Sequence, residues 1–189
     1  MEGLQYATNL KTISFNYGNV SDISCFENIE MKKLRELNLY CTKIKDISIF
    51  KTAKFPELYY LNISGNCISD LSPLGDVSMP KLSQQNLFVS NQKIILDSVD
   101  IEEGDIVQID NPARDTNGNI INNITHTDGI YNKENHKITW DNINESKTIS
   151  FRFEGSVKIS GISKIFYGTV SIPVKVDEVI VGIPDINYY

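Results

Sequence analysis

The chain has 189 residues, of which 41% are hydrophobic and 22% charged, with a formal net charge of -6. This length suits one or two domains with a real core, and the composition is globular rather than disordered. The acidic balance argues against a nucleic-acid surface, which needs clustered Lys and Arg, and no apolar run approaches the ~18 residues of a membrane span.

From the N-terminus, Met1 is followed by EGLQYATNLK, with neither the basic nor the apolar region of a secretion signal. A repeat then begins. LKTISFNYGNVSDISCF starts at Leu10, LRELNLYCTKIKDISIF at Leu34 and LYYLNISGNCISDLSPL at Leu58, a period of 24 residues that continues to Leu82. The aligned columns are Ile13, Leu37 and Leu61; then Phe15, Leu39, Ile63 and Leu87; then Val20, Ile44 and Ile68. The pairs Asp22-Ile23, Asp46-Ile47 and Asp70-Leu71 follow, and Phe26, Phe50 and Leu74 close the unit. Period and L-x-x-L-x-L core match the leucine-rich repeat. The alternating part is a strand whose Leu and Ile point inward, and successive strands pair as a parallel sheet.

Residues between the leucines face outward on the concave side. They are Thr12, Ser14, Asn16 and Tyr17; Glu36, Asn38, Tyr40 and Cys41; Tyr60, Asn62, Ser64 and Gly65; then Gln84, Asn86 and Phe88. Tyr and other aromatics are enriched among binding hot spots, so a protein-binding patch is expected around Tyr40, Tyr60 and Phe88. Asn62-Ile-Ser64 fits a glycosylation pattern, but the alternation of the strand alone generates it. The ninth position of each unit is Gly18, Thr42 and Asn66, where an Asn satisfies backbone groups in the bend; this predicts a weakened ladder. Asn91 matches Asn66 only with a one-residue insertion, so the last unit reads as a degenerate cap.

After about residue 88 the columns vanish. QKIIL, DIVQI, GNIIN, HKITW, TISFRF and KIFYGTVSI are short β-type segments separated by turn signals, among them Asn117-Gly118. Many short strands predict a β-sandwich, with Trp140 as its core anchor. DTNGN at 115–119 resembles the start of a calcium loop but lacks the distant bidentate Glu, and reads as a hairpin turn. His126 and His136 have no Cys or carboxylate at ligand spacing. No nucleophile, metal or phosphate-loop motif is present, so neither an enzyme, a cofactor nor a metal is expected. The three cysteines are an odd number in three different columns. Cys41, at the concave edge, is expected to be the most reactive and Cys67 to be packed.

Together the halves resemble the bacterial internalins, in which leucine-rich repeats of the D-I-S-P-L type run directly into a small immunoglobulin-like domain. The residues that carry the resemblance are NLKTISF, KDIS and ISDLSPL in the first half. In the second they are SNQKI (90–94), TDGIYNKENHKITW (127–140), SFRFEGSV (150–157) and FYGTVSIPV (166–174). The family's usual repeat is 22 residues, so the units here are longer. The resemblance implies a mainly β chain: a short leucine-rich-repeat solenoid over 1–88 fused to an Ig-like β-sandwich over 89–176, with a tail at 177–189. It also implies a non-catalytic protein-binding module outside a Gram-positive cell, engaging a protein partner such as a host surface protein. No nucleic acid and no membrane insertion are expected. The alternative reading is a structural spacer in a larger surface protein.

Overall fold

Stacking of the repeats produces the first sheet. In the computed structural model, which describes residues 3–177, β1 (Thr12–Ser14), β2 (Glu36–Asn38), β3 (Tyr60–Asn62) and β4 (Leu87–Phe88) pair in parallel in chain order. Leu34, Leu39 and Ile44 are fully buried, whereas Leu10, Phe15 and Val20 in the same columns of the first unit are only half-buried. The first unit is thus less completely sealed than the second, although its Ile13, Ile23 and Phe26 are buried, as expected of units that bury their apolar face by stacking.

The pairing Leu61↔Leu87 and Asn62↔Phe88 corrects the sequence alignment of the last unit. Leu87 belongs to the column of Leu61, not of Ile63, so two extra residues precede it. They are absorbed in a single 3-10 turn at Gln84–Asn86.

The same shift brings Gln92, not Asn91, under Asn66 in the bend. The Asn66 amide donates to the carbonyls of Leu39, Ile63 and Ser64 at 2.8, 3.0 and 3.3 Å. Its oxygen accepts from the Ile44 amide at 3.2 Å and from Thr42 Oγ1 at 2.5 Å. One unit on, the Gln92 amide donates to Ile63 and Val89 and accepts from the Ile68 amide at 3.1 Å. Thr42, Asn66 and Gln92 thus form a continuous buried polar ladder. The residue before each ladder position, Tyr17, Cys41, Gly65 and Asn91, has φ between 53° and 72°, the left-handed twist that turns the backbone amides inward.

Acidic residues start the convex limbs. Asp22, Asp46 and Asp70 accept from the amides of Ser24, Ser48 and Ser72 at 2.8, 2.7 and 2.7 Å. Each bond opens a 3-10 turn, at Ser24–Phe26, Ser48–Lys51 and Ser72–Leu74. The Asx geometry explains the recurring D-x-S. Behind these turns Phe55 packs against Phe26 and Phe50, with ring centroids 6.4 and 5.8 Å apart.

The second half contains β5 (Gln92–Ile95), β6 (Val99–Ile101), β7 (Asp105–Asp110), β8 (Ile124–Thr125), β9 (Ile130–Asn132), β10 (Lys137–Ile143), β11 (Lys147–Ile159) and β12 (Ile162–Val176). One sheet has the order β7-β10-β9; the other runs β5-β12-β11-β8, with β6 also paired to β12. Trp140 of β10 meets Phe151 of β11 at 6.4 Å, and its indole donates to Asp128 at 2.8 Å. GNIIN, expected as a strand, is a turn region with one bridge, Arg114↔Ile120. The Asp115 carboxylate captures the amides of Asn117 and Asn119 at 2.8 and 2.9 Å, which closes a tight turn instead.

Several contacts lock the halves together. Arg114 forms a parallel β-bridge with Asp70, its amide donating to the Ser69 carbonyl at 2.8 Å and its carbonyl accepting from the Leu71 amide at 3.2 Å. At the tip of the β11–β12 hairpin, Ser160 donates to the Val77 carbonyl and accepts from the Met79 amide, at 2.8 and 3.0 Å. A Cβ at Gly168 would lie 2.7 Å from the Gln92 carbonyl oxygen, so β12 approaches the ladder closely only because that position is glycine. In the last described residue, the Asp177 amide donates to Ile101 at 2.9 Å; the rest of the expected tail lies outside the described residues.

Two predictions follow from these bonds. Asn66→Ala strands the Ile44 amide and several carbonyls, and is expected to cost about 2–3 kcal/mol by denaturant titration; unchanged stability would refute the ladder. The Ser24 amide, with its hydroxyl second, holds the Asp22 carboxyl below its ordinary value. A depressed acid stabilises above its unfolded pKa of about 3.9, and that stability is lost as pH falls through the folded value. The gap between wild type and Asp22→Asn should therefore close in an acid titration below about pH 4. A gap independent of pH would show that the carboxylate bond contributes nothing.

Candidate functional site

The exposed face of the first sheet carries a narrow, ordered set of side chains. Strand register arranges them in rows. Thr12, Glu36 and Tyr60 form one; Ser14, Asn38, Asn62 and Phe88 form the next. Amide bonds from Tyr17 to Tyr40, Cys41 to Ser64 and Gly65 to Ser90 define a third row of Tyr40, Ser64 and Ser90 beyond the strands.

Four of the sequence-predicted aromatic residues meet in two pairs. Tyr17 and Tyr40 stand edge to face at 5.2 Å, and Tyr60 and Phe88 are tilted at 5.7 Å. Tyr17 is 77% and Phe88 39% exposed, while Tyr40 and Tyr60 are half-buried. Between the pairs lie Asn38, Asn62 and Ser64. Asn62 is fixed locally: its oxygen accepts from the Ser64 amide at 3.0 Å. Of the other predicted positions, Gln84 and Asn86 both sit on the 3-10 turn that precedes β4 rather than on a strand.

The charges of this face are engaged within the chain. Glu36 accepts from the Tyr59 hydroxyl at 2.5 Å, a contact that pushes the Tyr59 phenol upward. Lys164, from β12, donates to the Gln84 carbonyl and stands 5.6 Å from the Phe88 ring centre. The Tyr40 phenol is pushed up to about 12, first by the Cys41 thiol beside it and then by Tyr17, so it stays neutral.

Sequence reasoning passed over Tyr59, Ser90 and Lys164. Strand alternation would turn Tyr59 away from Tyr60, and nothing in the repeat announces that a lysine from the second half reaches its edge. Ser90 also donates to the Ile165 carbonyl, fastening the end of the sheet to β12.

The cysteines are all free and all half-buried, so exposure does not separate Cys41 from Cys67 as the columns suggested. Burial pushes the Cys25 thiol up. Among the described residues no group of His, Cys, Asp or Glu is arranged to hold a metal ion, and no helix is long and apolar enough to cross a membrane.

The leucine-rich-repeat family model of two copies matches residues 32–76, and the model described as LRR adjacent matches residues 118–175. Among solved structures, the functional domain of InlJ from Listeria monocytogenes, which includes a cysteine ladder, is similar to this chain. Its TM-score is 0.65 at 22% identity, over 93% of this chain and 36% of that one. InlP from the same organism is similar at 18% identity over 87% of this chain and 51% of that one, with a TM-score of 0.37. The chain thus spans about a third of the InlJ structure. No curated protein matches the sequence.

The close approach beside the concave face is testable. A Cβ at Gly65, where φ is 72°, would lie 2.6 Å from Cys41 Sγ. Gly65→Ala is expected to destabilise the chain by about 1–3 kcal/mol, and Cys41→Ala in the same chain should recover part of it. Additive effects in thermal melts would show that the sulfur contact is not the cause.

Proposed function

We propose that this chain, an internalin-like leucine-rich-repeat protein, is a non-catalytic module that binds a protein partner on its concave face. The observation that carries the reading is the pair of aromatic clusters, Tyr17–Tyr40 and Tyr60–Phe88, on the open side of the parallel sheet. Aromatic rings anchored by neighbours bring large contact area at a low cost in side-chain entropy, which is why they dominate interface hot spots. The binding residues are Tyr17, Glu36, Asn38, Tyr40, Tyr60, Asn62, Ser64, Gln84, Asn86 and Phe88. A pure spacer would need no such strip.

In this reading the repeats occupy 1–88 and the second half, 89–176, is an immunoglobulin-like sandwich that supports them. Two packed sheets with a buried Trp at their interface support that assignment. The module acts at the surface or outside a Gram-positive cell, and a host surface protein is the partner that fits the resemblance.

The test is binding of the immobilised chain to a panel of host-cell ectodomains, compared with a Tyr40→Ala/Tyr60→Ala variant. Loss of two anchors is expected to weaken a genuine complex by about 3 kcal/mol, more than a hundredfold. A partner held equally well by the double variant would move the site off the concave face.

A further inference from the structure

One atom in the middle of this face is at odds with the rest of the molecule. Asn38 Oδ1 is buried and accepts no hydrogen bond, alone among the buried side-chain polar atoms of the described residues. Every ladder amide in the bend is satisfied, and so is the Asn62 oxygen beside it in the same row. An unpaired buried acceptor is unfavourable, and native proteins keep few of them without a use.

Its position suggests the use. Asn38 precedes Tyr40 by two residues on the same face, and β2–β3 register sets Tyr60 on the neighbouring strand one row away. The Asn amide therefore lies between the two aromatic pairs. Rotation about the terminal side-chain torsion, which is broad and soft for Asn, turns the oxygen toward the open side. The two charges of the face, Glu36 and Lys164, are already occupied by Tyr59 and by the Gln84 carbonyl. What remains on offer is a neutral acceptor flanked by ring faces.

We propose that Asn38 is the specificity-determining residue of the concave face, its amide oxygen turning out to accept from an uncharged N–H on a partner-protein segment flanked by apolar side chains. This rests on the concave-face reading above and deepens it. The unpaired oxygen makes the free chain less stable than it could be, and the partner supplies the missing donor. Discrimination is strong at such a site, because a partner lacking the donor leaves the oxygen unpaired a second time.

The experiment has a stability arm and a binding arm, both on the full chain. Asn38→Leu removes the orphan oxygen at similar volume; Asn38→Asp keeps an acceptor. The binding probe is the peptide most enriched from a random linear-peptide phage library selected on the wild-type chain and displaced by excess soluble chain. Asn38→Leu is expected to melt about 2–4 °C higher than wild type and to bind that peptide about tenfold more weakly. Asn38→Asp is expected to retain binding. A lower melting temperature for Asn38→Leu would show that the amide has a structural role and overturn the proposal. So would wild-type affinity of Asn38→Leu; if Tyr40→Ala/Tyr60→Ala still lost the peptide, the concave reading alone would survive. A peptide insensitive to all three variants, or a library that yields none, would overturn the proposal and count against the concave face as well.

Discussion

The repeats depend on satisfying the backbone where each unit turns from its strand into its convex limb. At that bend the carbonyls of Leu39, Ile63 and Val89 point into the molecule, where water does not reach. The side chains of Thr42, Asn66 and Gln92 take up these carbonyls, and Asn66 and Gln92 also hold the amides of Ile44 and Ile68. Leaving them unpaired would cost about 1–3 kcal/mol each, a large fraction of the stability of any domain. Thr42 is the shortest member and cannot span two units by itself, yet its hydroxyl reaches Asn66. Gln92 is one methylene longer than Asn. It serves the last unit, where the ladder must meet a strand that already belongs to the next sheet.

That double duty ties the two halves into one structure. Gln92 opens β5, which pairs with β12, and Gly168 of β12 passes against its carbonyl. The end of the solenoid would otherwise present β4 as an open strand edge, with the aggregation hazard that such edges carry. Here Ser90 bonds to β12, Lys164 lies over Phe88, and Arg114 pairs with the backbone around Asp70. The second half therefore works as the repeat array's C-terminal cap. It also sets the edge of the concave face, since Lys164 borders the aromatic strip.

Stacking makes the repeat legible in sequence. Each column must present the same kind of side chain to its neighbours, so Leu34, Leu58 and the D-x-S pairs announce themselves at a fixed interval. The inference fails where the period breaks. Two residues inserted before β4 are invisible in the columns, so Leu87 is assigned to the wrong row and Gln92 is not recognised as a ladder residue. Trp140 and the β11–β12 hairpin could be read from composition and alternation. The Ser160 bond to Met79 could not, because it joins groups 81 residues apart that share no periodicity. For the candidate site, alternation places Glu36, Asn38, Tyr60 and Asn62 on strands, but not Gln84 and Asn86, which the insertion puts on a 3-10 turn. It does not say that Glu36 is already engaged by Tyr59, or that Asn62 is satisfied while Asn38 is not.

These last differences set the chemistry that the concave face presents. A surface that keeps free charges recruits partners from a distance and binds with strong salt dependence. On this face the two charges are of opposite sign and each is tethered to a neutral group of the chain, Glu36 to the Tyr59 hydroxyl and Lys164 to the Gln84 carbonyl. What it presents is ring faces and amide or hydroxyl groups, held on short strands whose backbones are fixed by the ladder behind them. Rigidity there matters more than charge. A preorganised surface loses little entropy on docking, so a small contact area can still be selective. The same rigidity fixes the backbone at Asn38, because Leu37 and Leu39 on either side are fully buried in the stack, and leaves its side-chain torsions as the freedom by which the amide can reorient.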